Sequence, residues 1–123
     1  MKIAITSQGK ELSSEIDLRF GRTKFLLVVN TETDSFEVHD NSMNLNAAQG
    51  AGIQTGQNIA NLDVEAVITG NLGPNAFKTL NAAKVKIFLA EKQTVQNAID
   101  SFKAGKLKEV DQYKKELEEH RKY

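Results

Sequence analysis

A chain of 123 residues, about 40% of them hydrophobic, is long enough to bury one core and too short for two. Lys plus Arg number 16 and Asp plus Glu number 16, so no global field draws the protein toward nucleic acid or an anionic membrane. Cysteine is absent, which removes disulfides, thiolate chemistry and cysteine-based zinc or iron-sulfur ligation.

The N-terminal stretch MKIAITSQ carries only Ile3, Ala4 and Ile5 as an apolar run. That is too short for a signal-peptide core, and no stretch reaches transmembrane length, so a cytoplasmic protein with no membrane partner is expected. Apolar runs bounded by turn signals predict strands over 2–6, 24–30, 35–40, 64–69 and 85–89. The second, Phe25 to Val29, is apolar on both faces and reads as central. In the third, Phe36 and Val38 alternate with Ser35, Glu37 and His39, the pattern of an edge strand buried on one face. The short polar link 31–34 makes strands two and three a hairpin.

Helices then alternate with strands. The stretch 50–62 places Ile53, Gly56, Ile59 and Ala60 on one side. A second helix begins at Gly73-Pro74, with proline in the first turn, and buries Ala76, Phe77, Leu80 and Ala83. A third, over 94–104, turns Val95, Ala98, Ile99 and Phe102 inward and ends at Gly105. A strand, a hairpin and then alternating helices and strands predict an α/β domain with a five-stranded mixed sheet, order 3-2-1-4-5, in a ribonuclease-H-like arrangement. The domain should occupy residues 1–105. Residues 106–123 read as a charged C-terminal helical tail with Leu107, Val110, Tyr113 and Leu117 at helical spacing.

In this topology the ends of strands one, three and four share an edge with the start of strand two. Four loops meet there: 6–10, 17–23, 41–52 and 70–73. Two of them lead into helix N-termini, where free backbone N–H groups favour an anion. The candidate binding residues are the glycines Gly50, Gly52, Gly70 and Gly73, the cations Arg19 and Arg22, and the hydrogen-bonding Ser7 and Asn71, with Thr6, Asn44, Asn46 and Gln49 nearby. The edge suits a small, negatively charged ligand.

Other chemistries lack their residues. Two-metal nuclease chemistry needs clustered carboxylates, and the first strand, the first helix and the end of the fourth strand supply none. The two histidines, His39 and His120, have no partner at metal-ligand spacing, and no histidine can be placed beside Ser7, Ser13 or Ser14 as in a nucleophilic triad. No catalytic residue and no protein metal ligand is expected.

Leu12-Ser13, Ile16-Asp17, Arg19-Phe20-Gly21-Arg22 and Phe25, then Gly50-Ala51-Gly52-Ile53, Val67-Ile68-Thr69-Gly70 and Gly73-Pro74-Asn75-Ala76-Phe77, form a pattern spanning residues 1–105. It resembles the dinitrogenase iron-molybdenum cofactor biosynthesis family. The resemblance implies a nitrogen-fixation-related binding or carrier protein for an anionic iron-sulfur or iron-molybdenum type cluster or its precursor, and adds Phe20 and Gly21 to the site. The alternative it leaves is an interaction module that docks on metallocluster-assembly proteins and binds no cluster itself. Cofactor-handling relatives commonly carry histidine before the Phe-Gly pair, where this chain has Arg19. Arginine offers donors and no accessible lone pair, so it can attract a cluster but hardly coordinate its iron.

Overall fold

The computed structural model describes residues 1–41 and 51–111. Three strands come first, β1 (Lys2–Ser7), β2 (Phe25–Asn30) and β3 (Phe36–Asp40). They are followed by α1 (Ala51–Ala60), β4 (Ala66–Thr69), α2 (Pro74–Ala82), β5 (Lys86–Leu89), α3 (Val95–Lys103) and β6 (Lys108–Glu109). The sheet runs β3-β2-β1-β4-β5-β6. β2 is antiparallel to both β1 and β3, whereas β1, β4 and β5 are mutually parallel, with Ala4 beside Val67 and Val67 beside Ile87.

Strand alternation divides the core between the two faces. Ala4, Leu26, Val28, Val67 and Ile87 pack under α1 and α2 with Ile59, Ala76 and Leu80. Ile3, Ile5, Leu27, Val29 and Ile68 pack under α3 with Val95, Ala98 and Ile99. β1 and β2 serve both layers, which explains their unbroken apolar runs. α3 starts at Thr94, whose hydroxyl accepts from the Asn97 N–H at 3.1 Å, a side-chain N-cap.

Three expectations need correction. The sheet has six strands instead of five, because Lys108–Glu109 pairs antiparallel with β5 through Phe88↔Glu109 and Leu89↔Lys108. Leu107 and Val110 are three apart, a spacing shared by one helix face and by the two opposite faces of a strand. The chain takes the second option: Leu107 packs on the α3 side, Val110 joins the other cluster at 4% exposure, and the Val110 N–H donates to the Ile87 carbonyl at 2.8 Å. The rest of the proposed tail helix, with Tyr113 and Leu117, lies outside the described residues.

The second correction concerns β3, where Phe36 and Val38 are 36% and 38% exposed and so do not form a buried face. Their register opposite Val29 and Leu27 sets them on the α3 side, and the cluster beneath that helix stops at β2. Third, α1 turns Thr55 inward with Gly56 and Ile59 while Ile53 is only half buried, and Ala83 after α2 is exposed. Thr55 is needed because its hydroxyl accepts from the buried Asn41 amide at 3.1 Å.

Candidate functional site

The loops at the C-terminal ends of the parallel strands are anchored by a buried layer of hydroxyl groups. Thr6 Oγ1 donates to the Asp17 carbonyl at 2.6 Å and lies 3.0 Å from Thr69 Oγ1, which ties the first loop to β1 and β4. Thr23 Oγ1 accepts from the Ser7 N–H at 3.1 Å and donates to the Phe25 carbonyl at 2.9 Å. Asn41 Nδ2 donates to the Thr23 carbonyl at 3.0 Å. Buried polar groups are costly unless paired, and no buried side-chain N or O among the described residues lacks a partner.

Ser7 belongs to this layer. It is fully buried, its hydroxyl donates to the Gly9 carbonyl at 2.7 Å, and it lines none of the described cavities. In this structure Ser7 anchors the first loop. Phe20 is likewise a core side chain, 1% exposed in the α1/α2 cluster, and meets the site through its backbone, whose N–H donates to the Asn71 carbonyl at 3.1 Å.

Residues 17–23 and 70–73 then run side by side, with Arg19 bridged to Asn71 in parallel fashion. Gly70 permits this approach. A Cβ there would lie 2.5 Å from Leu18 Cδ2 and 2.7 Å from Leu18 Cα, closer than non-bonded carbons tolerate. Gly21 closes the other side, since its Cβ would meet the Gly52 nitrogen at 2.9 Å. Close approach in these loops is thus chiefly of the chain to itself.

These contacts frame a cavity of about 720 Å³ lined by Leu18, Arg19, Phe20, Gly21, Gly70, Asn71, Leu72, Gly73, Ala90, Glu91 and Lys92. A smaller neighbouring one, about 270 Å³, is lined by Gly21, Arg22, Ala51, Gly52, Ile53, Gly73, Pro74, Asn75 and Ala76. Arg19, Gly70, Asn71 and Gly73 thus share the main cavity, Arg22 and Gly52 share the second, and Gly21 and Gly73 border both. Gly50, Asn44, Asn46 and Gln49 lie outside the described residues.

The residues that sequence reasoning missed are Leu18, Leu72, Ala90, Glu91 and Lys92. The last three follow β5, which is parallel to β4, so its C-terminal end opens on the same edge. The strand-end rule already applied to β4 could have found Lys92. The long first connection also has a structural share: Ile16, Ser14 and Leu12 bond the backbone of Gln93, Val95 and Gln96, locking that connection to the loop that carries Lys92.

Arg19 is 70% exposed and only partly committed. Its Nε reaches the nearly buried Asp17 carboxylate at 3.5 Å, and the same Oδ1 accepts its backbone N–H at 3.0 Å. No described residue engages its two Nη groups. Lys92 brings a second cation and Glu91 an acid to the same cavity, so what the site offers is directed donors more than net charge. Among the described residues no three His, Cys, Asp or Glu side chains converge as a metal site, and no helix is long and apolar enough to cross a membrane.

The sequence profile of the dinitrogenase iron-molybdenum cofactor family matches residues 1–105. The chain belongs to this family. Among solved structures it is similar to the apo form of the orange protein from Desulfovibrio gigas, at 33% identity, TM-score 0.87, and coverage of 89% of this chain and 92% of that one. It is also similar to a Thermotoga protein named as a candidate NifB of the DUF35 family, at 40% identity, TM-score 0.80, and coverage of 94% and 97%. An uncharacterized Methanocaldococcus jannaschii protein is 29% identical over 114 residues, covering 90% of this chain and 92% of its own. The family is named for the iron-molybdenum cofactor of dinitrogenase, which ties the chain to the chemistry of that cofactor.

Proposed function

We propose that the protein binds an anionic iron-sulfur or iron-molybdenum type cluster, or a precursor of one, as cargo in the cavity between the Leu18–Gly21, Gly70–Gly73 and Ala90–Lys92 segments. The observation that carries this reading is that Arg19 and Lys92, from loops far apart in sequence, line one cavity together with the apolar Leu18, Leu72 and Ala90, glycine backbone, Asn71 and a single carboxylate, Glu91. Few donors on an apolar wall are the usual composition of a ligand site. They suit a sulfur-coated anion, which is polarisable and less strongly hydrated than a hard oxyanion. With no cysteine in the chain, the cargo would be held by charge, hydrogen bonds and contact, and so released readily, as a carrier requires.

The ionisable groups of the lining are Arg19, Glu91 and Lys92, which suit holding a ligand by charge and hydrogen bonds. The similarity to a protein solved as an apo form, and so one with a bound form as its counterpart, supports a ligand site in this fold.

Equilibrium dialysis under argon tests the reading with tetrathiomolybdate, a coloured, sulfur-coated molybdenum dianion. Saturable binding near one equivalent is expected. Arg19→Ala and Lys92→Ala should each weaken it by about three- to thirtyfold, the range for a charge-assisted hydrogen bond discounted for solvent exposure. Wild-type protein that retains no tetrathiomolybdate would refute the reading and favour the interaction module that binds no cluster.

A further inference from the structure

The chain has eight glycines, seven of them among the described residues. Six of those seven have a reason internal to the fold. Gly9, Gly21, Gly52, Gly56 and Gly70 each have an atom of the chain within 3.2 Å of where a Cβ would stand, and Gly105 has φ +71° past the end of α3. Gly73 has neither. Among the described residues, its two chain neighbours apart, no heavy atom lies within 4 Å of its would-be Cβ, and its φ of −84° and ψ of 176° are extended, the conformation any residue prefers before proline.

Local stability favours a different residue there. Gly73 is the N-cap of α2 and makes no side-chain cap hydrogen bond, whereas serine, aspartate or asparagine would supply the missing acceptor. The fold therefore tolerates a side chain at this position and forgoes one. Gly73 is also one of two residues, with Gly21, that border both cavities, and Gly21 is already accounted for by its contact with Gly52.

We infer that Gly73 is the size-determining position of the site: the volume its side chain would fill belongs to the ligand, an anion seated directly against Gly73 where the two cavities meet. This rests on the ligand-binding reading above and adds a specific wall to it. Whatever occupies the Arg19 and Lys92 cavity passes over Gly73, so a methyl or hydroxymethyl group there excludes it without disturbing the fold.

The test compares wild type, Gly73→Ala, Gly73→Ser and Arg19→Ala for thermal midpoint and tetrathiomolybdate binding. Gly73→Ser should melt no lower than wild type, since it gains a cap. Both Gly73 variants should bind tetrathiomolybdate at least tenfold more weakly. If Arg19→Ala weakens binding and both Gly73 variants bind like wild type, the clearance inference is overturned and the site reading stands. Failure of wild type to bind, or equal binding by all four proteins, overturns both. A Gly73→Ser protein melting several degrees below wild type would show that the fold itself needs this glycine, which also overturns the inference.

Discussion

Gly70→Ala is the substitution whose cost the structure specifies best. The new methyl would stand 2.5, 2.7 and 2.8 Å from Leu18 Cδ2, Cα and Cβ. One of those atoms is backbone, so rotating the Leu18 side chain cannot relieve the contact. The segment carrying Leu18 must move, yet it is fixed by the Phe20 N–H bond to the Asn71 carbonyl and by the Asp17 N–H bond to the Thr6 carbonyl at 2.9 Å. Overpacking of this kind costs roughly 1 to 3 kcal/mol. For a domain of this size that corresponds to a fall in thermal midpoint of about 3 to 15 °C. Circular dichroism melts with a matching urea titration would measure it, and the altered Leu18 position should also disturb binding in the main cavity. A Gly70→Ala protein melting within 1 °C of wild type would refute the reasoning, since the two loops would then not be packed as described.

Other perturbations test separate parts of the account. Val110→Ala should destabilise by about 1 to 3 kcal/mol in chemical denaturation, because Val110 is a core residue beyond the 1–105 boundary; a change under 0.5 kcal/mol would return it to a solvated tail. Thr94→Ala should cost about 1 kcal/mol, the value of a lost N-cap, read as a lower urea midpoint at unchanged slope. Tetrathiomolybdate binding should weaken severalfold between 50 and 500 mM salt, as expected for partly exposed cationic donors; salt-independent binding would point to apolar contact alone.

The order of the first five strands was legible because its determinants are local. The two-faced apolar run of β2 demanded a central place, the polar link 31–34 demanded a hairpin, and Gly73-Pro74 marked a helix start. β6 was hidden because two residues are too few to show a period, and a spacing of three fits both a helix face and a strand's two faces. The bare face of β3 was misread because alternation reports which side chains could be buried, while burial depends on how far α3 extends over the sheet.

The site was legible as an edge and less so as a set of residues. Arg19 and Gly73 were placed together by topology alone. Ser7 entered through the topology of its loop and Phe20 through the family resemblance, and in the structure both side chains are buried, one anchoring a loop and the other filling the core. Glycine identity did not reveal purpose either: Gly70 and Gly73 bracket the same loop, yet one makes room for Leu18 and the other for nothing among the described residues.

The most direct test of the central claim is a titration of ¹⁵N-labelled protein with tetrathiomolybdate, following every backbone amide. The account predicts saturable shifts concentrated at Leu18 to Gly21, Asn71 to Gly73 and Ala90 to Lys92, and their loss in Arg19→Ala at the same ligand concentration. Shifts centred on the exposed face of β3, or spread over surface lysines without saturation, would contradict it.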